Sequence, residues 1–195
     1  APFVMIGTLA VMIFSLVAWN LPPMVSHIMK KADRPGPNHV IKNILEDKNQ
    51  QRALLLLIVM MMGHFSVVQF IADYMELNVG LTKEQVTYIY LVGGIVSLFS
   101  SIIVGRLADK FGNYRIFAIF AVLSAVPIYL ITNMTPQPIY VVLLITAFFF
   151  IVTGGRIIPS QSMITSVVKP QQRGGFMNIN SSLQQVSTGL AALLS

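Results

Sequence analysis

Residues 105–115 read GRLADKFGNYR, a charged turn that follows the uncharged run YLVGGIVSLFSSIIV at 90–104. The turn holds one acidic side chain, Asp109, and glycines stand at 105 and 112. Glycine allows positive φ and close backbone approach, and an aspartate can accept hydrogen bonds from a helix N-terminus. Lys110 and Arg115 stand near enough in sequence to pair with Asp109. We predict a tight polar turn between two long apolar helices.

The composition of the whole chain indicates a membrane protein. Of its 195 residues, 55% are hydrophobic and 10% are charged, and its mean hydropathy is +0.73. Soluble domains carry about a quarter of their residues as charged ones, so this chain has too little polar surface to coat a soluble globule. The net charge of +6 is typical of cytoplasmic loops in a membrane protein, and we expect no nucleic-acid partner. Cysteine is absent, which excludes disulfides within this sequence.

Six segments are apolar enough to cross a bilayer, which takes about 20 residues. They are 1–28, 53–75, 86–106, 114–132, 138–165 and 175–195. We therefore predict an all-α integral membrane protein with six transmembrane helices. Both ends of the sequence look cut, so we expect it to be a piece of a longer protein.

The basic residues give these spans an orientation. With six spans, the loops 29–52, 105–115 and 166–174 fall on one side of the membrane. These loops hold most of the 13 basic residues, namely Lys30, Lys31, Arg34, Lys42, Lys48, Arg52, Arg106, Lys110, Arg115, Lys169 and Arg173. The opposite loops, 76–85 and 133–137, hold only Lys83. Basic loops stay in the cytoplasm, so we predict that the three basic loops are cytoplasmic.

The longest polar stretch, 29–52, contains a helix breaker and then a periodic segment. The run Pro35-Gly36-Pro37 ends any helix. Apolar residues follow at 40, 41, 44 and 45, a spacing that suits a short amphipathic surface helix. A plain linker would also fit these residues, and the sequence leaves both interpretations open.

The turn at 105–115 resembles the signature loop of the major facilitator superfamily, G-x-L-A-D-[RK]-x-G-[RK]-[RK]-[RK]. The matching residues are Gly105, Leu107, Ala108, Asp109, Lys110, Gly112 and Arg115, while Asn113 and Tyr114 depart from the basic residues of the pattern. The resemblance implies that this loop is a cytoplasmic gate latch. Asp109 would cap a helix of the other half of the transporter. Lys110 and Arg115 would form ion pairs that break as the halves rock, and Gly105 and Gly112 would shape the turn.

The order of the loops places the chain within that family's twelve-helix fold. The family has the signature loop between helices 2 and 3, a degenerate copy between helices 8 and 9, and a long loop between helices 6 and 7. The resemblance therefore implies that 1–28 is helix 6 and 29–52 is the cytoplasmic loop between the halves. Residues 53–195 would be a truncated C-terminal bundle, helices 7 to 11. We expect the N-terminal half, outside this sequence, to be a partner.

Two of the predicted helices carry a face that suggests contact with protein or water. In the third span, small residues recur every four positions at Gly93, Ser97, Ser101 and Gly105. Such stripes let helices pack closely in membranes, and in a transporter this one could also be a sliding surface between the halves. The sixth span has a polar face at Asn178, Ser182, Gln185 and Gly189, which must meet protein or water.

Arg156 is the most informative single residue. It lies 12 residues before Val168 in an apolar segment, which corresponds to a depth of about 18 Å. A cation at that depth is costly and should face a cavity or a partner; snorkelling to the surface is the other interpretation. Gly154, Gly155 and Pro159 would loosen or kink the helix, and discontinuous helices often build substrate sites.

His64 reaches nearly the same depth, about 17 Å from Ala53. It can be a cavity wall together with Arg156, or a hydrogen-bonded packing histidine. Gln69 and Gln161 are candidates to contact a ligand, with packing as an equal alternative. No acidic residue lies at this depth. If transport is coupled to protons, the carrier is His64 or an acid elsewhere in the protein.

The end of the chain, GGRIIPSQSMITSVVKPQQRGGFMNINSSLQQ at 154–185, resembles bacterial efflux-type members of the superfamily. The resemblance implies a secondary active transporter in the cytoplasmic (inner) membrane, expelling a drug-like or sugar-like compound by alternating access. A proton gradient would take the place of any cofactor. No phosphate-binding loop or metalloprotease motif occurs in the sequence, so we expect no enzyme, no catalytic residue and no metal site. The alternative is a receptor or scaffold that keeps the fold without transporting.

Overall fold

A computed structural model describes residues 2–20, 37–170 and 172–194. The chain divides into two units at residue 36. The first unit contains helix α1, Pro2–Asn20, and the rest of the predicted first span and residues 29–36 of the loop lie outside the described residues. The helices of the second unit are α2 (Pro37–Glu46), α3 (Lys48–Val68), α4 (Ile71–Leu77), α5 (Lys83–Phe111), α6 (Asn113–Leu123), α7 (Ala125–Thr132), α8 (Ile139–Ser166) and α9 (Arg173–Leu194).

The predicted fold class, an all-α membrane protein, is confirmed. Helical segments long and apolar enough to span a membrane are Phe3–Asn20, Lys48–Leu77, Lys83–Phe111, Asn113–Thr132 and Ile139–Ser166. They coincide with the first five predicted spans. The sixth predicted span, 175–195, coincides with α9, a helix of 22 residues. Its amide and hydroxyl side chains keep α9 below the hydropathy of the other five, so its crossing of the membrane stays a prediction.

The polar stretch at 29–52 is more helical than its composition alone indicates. Its second half forms α2, so the amphipathic-helix interpretation is confirmed over Pro37–Glu46 and the plain linker is wrong there. Ile44 of α2 is buried against α3 and α9. The next span begins at Lys48 and not at 53, because the Asp47 carboxylate caps α3 by accepting a hydrogen bond from the Asn49 N–H at 2.8 Å.

Helix α8 is the centre of the second unit, because α3, α5, α6 and α7 all pack against it. An apolar cluster forms at the end of the bundle that contains the turn between α4 and α5, where Phe149 of α8 is fully buried. A second cluster forms at the opposite end, beside α2, and contains Ile164. Arg156 lies on α8 between these two clusters. The polar level of the bundle is therefore enclosed by apolar packing on both sides along α8.

The closest approach between α5 and α8 occurs at Gly93. A Cβ atom at this position would overlap the ring of Phe150, whereas nothing lies within 4 Å of the Cβ position at neighbouring Gly94. Ser97 and Ser101 of the predicted stripe are half-buried, and Ser100 is more buried than either. The face that α5 packs against its neighbours therefore runs through Gly93 and Ser100.

The opposite side of the bundle is apolar and uncovered. Large hydrophobic side chains of α5 and α6 lie more than half exposed, among them Leu98, Phe99, Ile102, Ile103, Ile119 and Val122. A soluble protein rarely leaves so large an apolar surface in water. The hydrocarbon of a bilayer is the environment that such a surface suits.

Replacing Gly93 tests the packing of α5 on α8. Gly93→Ala is expected to lower the melting temperature of the purified full-length protein, because the new methyl group overlaps the Phe150 ring. Overpacking costs about 1–3 kcal/mol, which exceeds the gain of about 1 kcal/mol from replacing glycine by alanine in a helix.

Gly94→Ala is the matched control, since no atom lies within 4 Å of the position that its methyl group would take. It is expected to leave the melting temperature unchanged or to raise it. Equal melting temperatures for the two variants would contradict the close approach of the helices.

Candidate functional site

The charged turn at 105–115 is built around one glycine. Helix α5 ends at Phe111, Gly112 has φ of +93°, and α6 begins at Asn113. A residue with a Cβ rarely adopts this backbone conformation, so glycine is required at 112. Gly105, by contrast, lies inside α5, and nothing described lies within 4 Å of the position that its Cβ would take.

The charged side chains of the turn do not pair with one another. Asp109, Lys110 and Arg115 are all exposed, and in the described part of the chain no ion pair joins Asp109 to either cation, so the expected pairing is absent here. No side chain caps the start of α6. The Lys110 ammonium lies 5.3 Å from the centroid of the Phe111 ring. The Asp109 carboxylate is therefore available to a group outside the described residues.

Asn113, one of the two departures from the family pattern, has a structural role. Its side-chain amide donates a hydrogen bond to the Ser162 hydroxyl of α8 at 3.0 Å. This bond holds the start of α6 against α8. The other departure, Tyr114, is exposed.

Arg156 lies halfway along α8 on the face that is packed. Its helical neighbours Thr153, Pro159 and Ser160 are buried, and Arg156 itself is half-buried. Its Nη1 donates a hydrogen bond to the Ser124 hydroxyl at 3.3 Å. Its Nε is buried and has no hydrogen-bond partner among the described residues. The positive charge thus meets a neutral hydroxyl group and no carboxylate in this part of the protein.

Ser124 lies in the fourth span, at a position that the sequence reasoning missed. Pro127 has no N–H to donate to the Leu123 carbonyl four residues earlier, and its ring crowds that carbonyl. The helix is loosened there but continues: Ser124 keeps a helical backbone with φ of −64°, and its N–H donates to the Phe120 carbonyl at 2.9 Å. The Ser124 hydroxyl donates to the Ala121 carbonyl at 2.7 Å, which leaves its oxygen free to accept from Arg156.

Helix α8 is held tightly against α6 beside Arg156. A Cβ at Gly155 would overlap the Phe120 ring of α6, while the Cβ position of Gly154 meets nothing within 4 Å. Pro159 lies inside α8, yet the helix continues through it. The discontinuity expected beside Arg156 is therefore not found, because α8 is one helix of 28 residues.

His64 lies on the packed face of α3, because it follows the buried residues Leu57, Met60 and Met61 at helical spacing. It is half-buried, and its ring meets the edge of the Phe65 ring with centroids 5.2 Å apart. Its Nδ1 is buried and has no hydrogen-bond partner among the residues described. Helix α3, which carries His64, packs against α8, which carries Arg156. Each of these two neighbouring helices thus carries a buried polar atom without a partner in the described ranges.

The two glutamines are placed differently. Gln69 is exposed at the junction of α3 and α4. Gln161 is half-buried. Each lies five residues beyond His64 or Arg156, which is about 140° around a helix. Gln69 therefore does not share a helix face with His64, nor Gln161 with Arg156, and their contact with a ligand stays a prediction. No group of residues in the described ranges could hold a metal ion.

Helix α9 contributes a buried amide that the sequence reasoning also missed. Asn180 is 2% exposed, and its Oδ1 has no hydrogen-bond partner in the part of the chain that is described. Its spacing from the buried Phe176 was the available signal. The predicted polar face of α9 is uncovered: Asn178, Ser182, Gln185 and Gly189 are all exposed. A recess of about 480 Å³ on this face is lined by Ser181, Gln184, Gln185 and Thr188.

The glycine pair beside Arg156 offers a test of the α6–α8 contact. Gly155→Ala is expected to push α6 away from α8, because the methyl group overlaps the Phe120 ring, and so to lower the melting temperature of the full-length protein. Overpacking of this kind costs about 1–3 kcal/mol. Gly154→Ala is the control and is expected to be neutral or stabilising; the same loss in both variants would argue against the contact.

A comparison with protein-family models matches residues 1–192 to the Major Facilitator Superfamily. No curated protein and no solved structure matches the chain. The family match extends over α1 to α9 and includes the turn at 105–115 and the site around Arg156. It is a family of transporters and not of enzymes. The chain therefore belongs to the major facilitator superfamily, a family of membrane transport proteins.

Proposed function

We propose that the chain is most of the C-terminal half of a secondary active transporter that works by alternating access. The observation that carries this proposal is the pair of buried nitrogen atoms on Arg156 and His64, which lack partners halfway along apolar helices. Polar groups at such depth are costly and mark substrate or ion pathways in membrane proteins.

The loop order supports the placement of the chain within the family fold. The long polar stretch at 29–52 precedes the signature turn at 105–115 by two spans, as expected if the first span is helix 6 and the turn joins helices 8 and 9. The exposed polar face of α9 needs protein or water against it. The N-terminal half of the transporter would supply that cover and the other wall of the pathway.

The signature turn would act as the cytoplasmic latch between the halves. Asp109 is exposed and unpaired within the described residues, as are the two cations near it. A carboxylate in this state can cap a helix end of the N-terminal half, where it is favoured by the helix dipole. The three basic loops would then lie in the cytoplasm and the protein in the inner membrane of a bacterium.

The transported compound would be drug-like or sugar-like and would leave the cell in exchange for protons. The acidic residues in the described ranges lie near the ends of helices, at Glu46, Asp47, Asp73, Glu76, Glu84 and Asp109. His64 or an acid of the N-terminal half is therefore the proton carrier in this proposal. His64 is the candidate on this chain because a ring nitrogen of imidazole can carry a proton and its Nδ1 has no partner within the described residues.

Flux measurements on the full-length protein test this proposal. Inside-out vesicles with an acidic interior are expected to accumulate a fluorescent drug or a labelled sugar, and a protonophore should abolish the accumulation. Accumulation driven only by the reversed pH gradient would indicate symport and contradict the efflux direction. Specific ligand binding without flux of any compound would indicate a receptor or scaffold and overturn the proposal.

The latch is tested by Asp109→Asn. This variant removes the charge that would hold the halves together on the cytoplasmic side, so the gate should close less often. If the closed gate loses about 1.4 kcal/mol of stability, the ratio of closed to open transporter falls about tenfold. We expect faster labelling, from the cytoplasmic side, of a cysteine introduced at Gln185, together with slower transport. The chain contains no cysteine, so the introduced thiol is the only one in this part of the protein.

Asp73→Asn is the matched control, because Asp73 is an exposed acid near the opposite end of the bundle. Its labelling should equal that of the parent protein. Unchanged labelling in Asp109→Asn would mean that the turn only orients the helices in the membrane and does not act as a latch.

A further inference from the structure

We propose that the compound recognised at this site carries an oxyanion, such as a carboxylate, sulfonate or phosphate group. The Arg156 guanidinium would bind the oxyanion, and His64 would be the second contact. This inference rests on the proposed transport function and names the substrate class of that same site.

The first step is the unbalanced charge. Arginine keeps its positive charge in proteins, and Arg156 holds that charge on the packed face of an apolar helix. Its bond to the neutral Ser124 hydroxyl does not neutralise it. Burying a charge is costly unless an opposite charge is close. A negative group that enters the site would therefore be bound strongly.

The second step is the absence of a protein carboxylate on the helices around the site. No Asp or Glu follows Asp109 anywhere in the sequence, so α6, α7, α8 and α9 carry none, and the segment 48–68 that forms α3 carries none either. The two acids of α5, Glu84 and Asp109, lie in its first and last turns. The negative charge has to come from a ligand or from the other half of the transporter.

The third step is that two N–H positions, on α8 and on α3, are not used in the described part of the chain. Nε of Arg156 carries an N–H group in every state, and Nδ1 of His64 carries one in the protonated ring and in one neutral tautomer. Both atoms are buried without a partner within the described residues, and the helices that carry them pack against each other. An oxyanion offers at least two acceptor oxygens, so in this proposal it accepts from both groups. A neutral hydroxyl compound would leave the charge unbalanced, and an amine would be repelled.

The fourth step is the positioning of the guanidinium. Ser124 holds Nη1 from the side of α6 and α7. The overlap that a side chain at Gly155 would have with Phe120 shows that α6 lies directly against α8 there. Arg156 is thereby held at one edge while its Nε remains unused. A planar group fixed in this way can form two parallel bonds with an oxyanion.

The test is thermal stabilisation of the purified full-length protein by matched pairs of compounds. Glucuronate is compared with glucose, salicylate with salicylamide, and inorganic phosphate is added as a simple anion. We expect at least one anion to raise the melting temperature while its neutral counterpart does not. Arg156→Gln should abolish this shift, and Arg156→Lys should retain part of it because the charge remains.

Two further variants complete the design. Arg52→Gln removes the same charge from an exposed position on α3 and should leave the shift intact. His64→Asn should raise several-fold the anion concentration needed for the half-maximal shift. This variant keeps the inference testable if Arg156→Gln does not fold, because it alters the second contact and leaves the charge in place.

The ligand-free proteins separate substrate binding from a permanent ion pair with the N-terminal half. Removing an unpaired buried charge should leave the melting temperature unchanged or raise it, so Arg156→Gln without ligand is expected to be at least as stable as the parent. If Arg156 is paired with a fixed acid, the variant leaves that acid buried without a partner, and the protein loses stability. Such a loss, with no anion effect on the parent protein, would overturn the inference.

Flux measurements distinguish the inference from the proposed function on which it rests. Stabilisation by anions without transport of any compound would keep the oxyanion site and overturn the transport function. Transport of neutral or cationic compounds alone, with no stabilisation by any anion, would keep the transport function and overturn the oxyanion site. If the parent protein transports an anion and Arg156→Gln does not, the result supports both the transport function and the oxyanion site.

Discussion

The hydrocarbon of a bilayer offers no hydrogen bonds, and this constraint shapes the helix bundle. Each backbone group must find its partner within a helix, and each polar side chain at depth needs protein or water. The Arg156 guanidinium is where the requirement is most severe, because it carries a charge between two apolar clusters of α8. A single hydroxyl group, that of Ser124, meets it from within the described residues.

That hydroxyl can accept because its own proton goes to the Ala121 carbonyl at 2.7 Å. Pro127 removes one backbone hydrogen bond, the one to Leu123, but the fourth span continues as one helix past Ser124. The close approach at Gly155 brings α6 and α8 together beside this contact. A hydroxyl group of one span thus provides the polar contact for a charge on its neighbour.

The two exposed sides of the bundle have opposite chemistry. Residues such as Phe99 and Val122 present a broad apolar surface, whereas Ser182 and Gln185 present an exposed polar one on α9. A bilayer suits only the first. The second suits protein or water, and the exposed charges of the turn at 105–115 also suit a polar environment.

The sequence by itself determined the fold class, five spans at their approximate positions, the tight turn at Gly112 and the family. These features depend on local rules of hydropathy, periodicity and glycine conformation, which adjacent residues specify. Only the tertiary structure decided that Ser124 meets Arg156, that Gly93 and not Gly94 is the tight contact, and that Asn113 bonds to Ser162. Each of these depends on the rotation of one helix against another, a property that residues far apart in the chain share and that the spacing within a single helix does not encode.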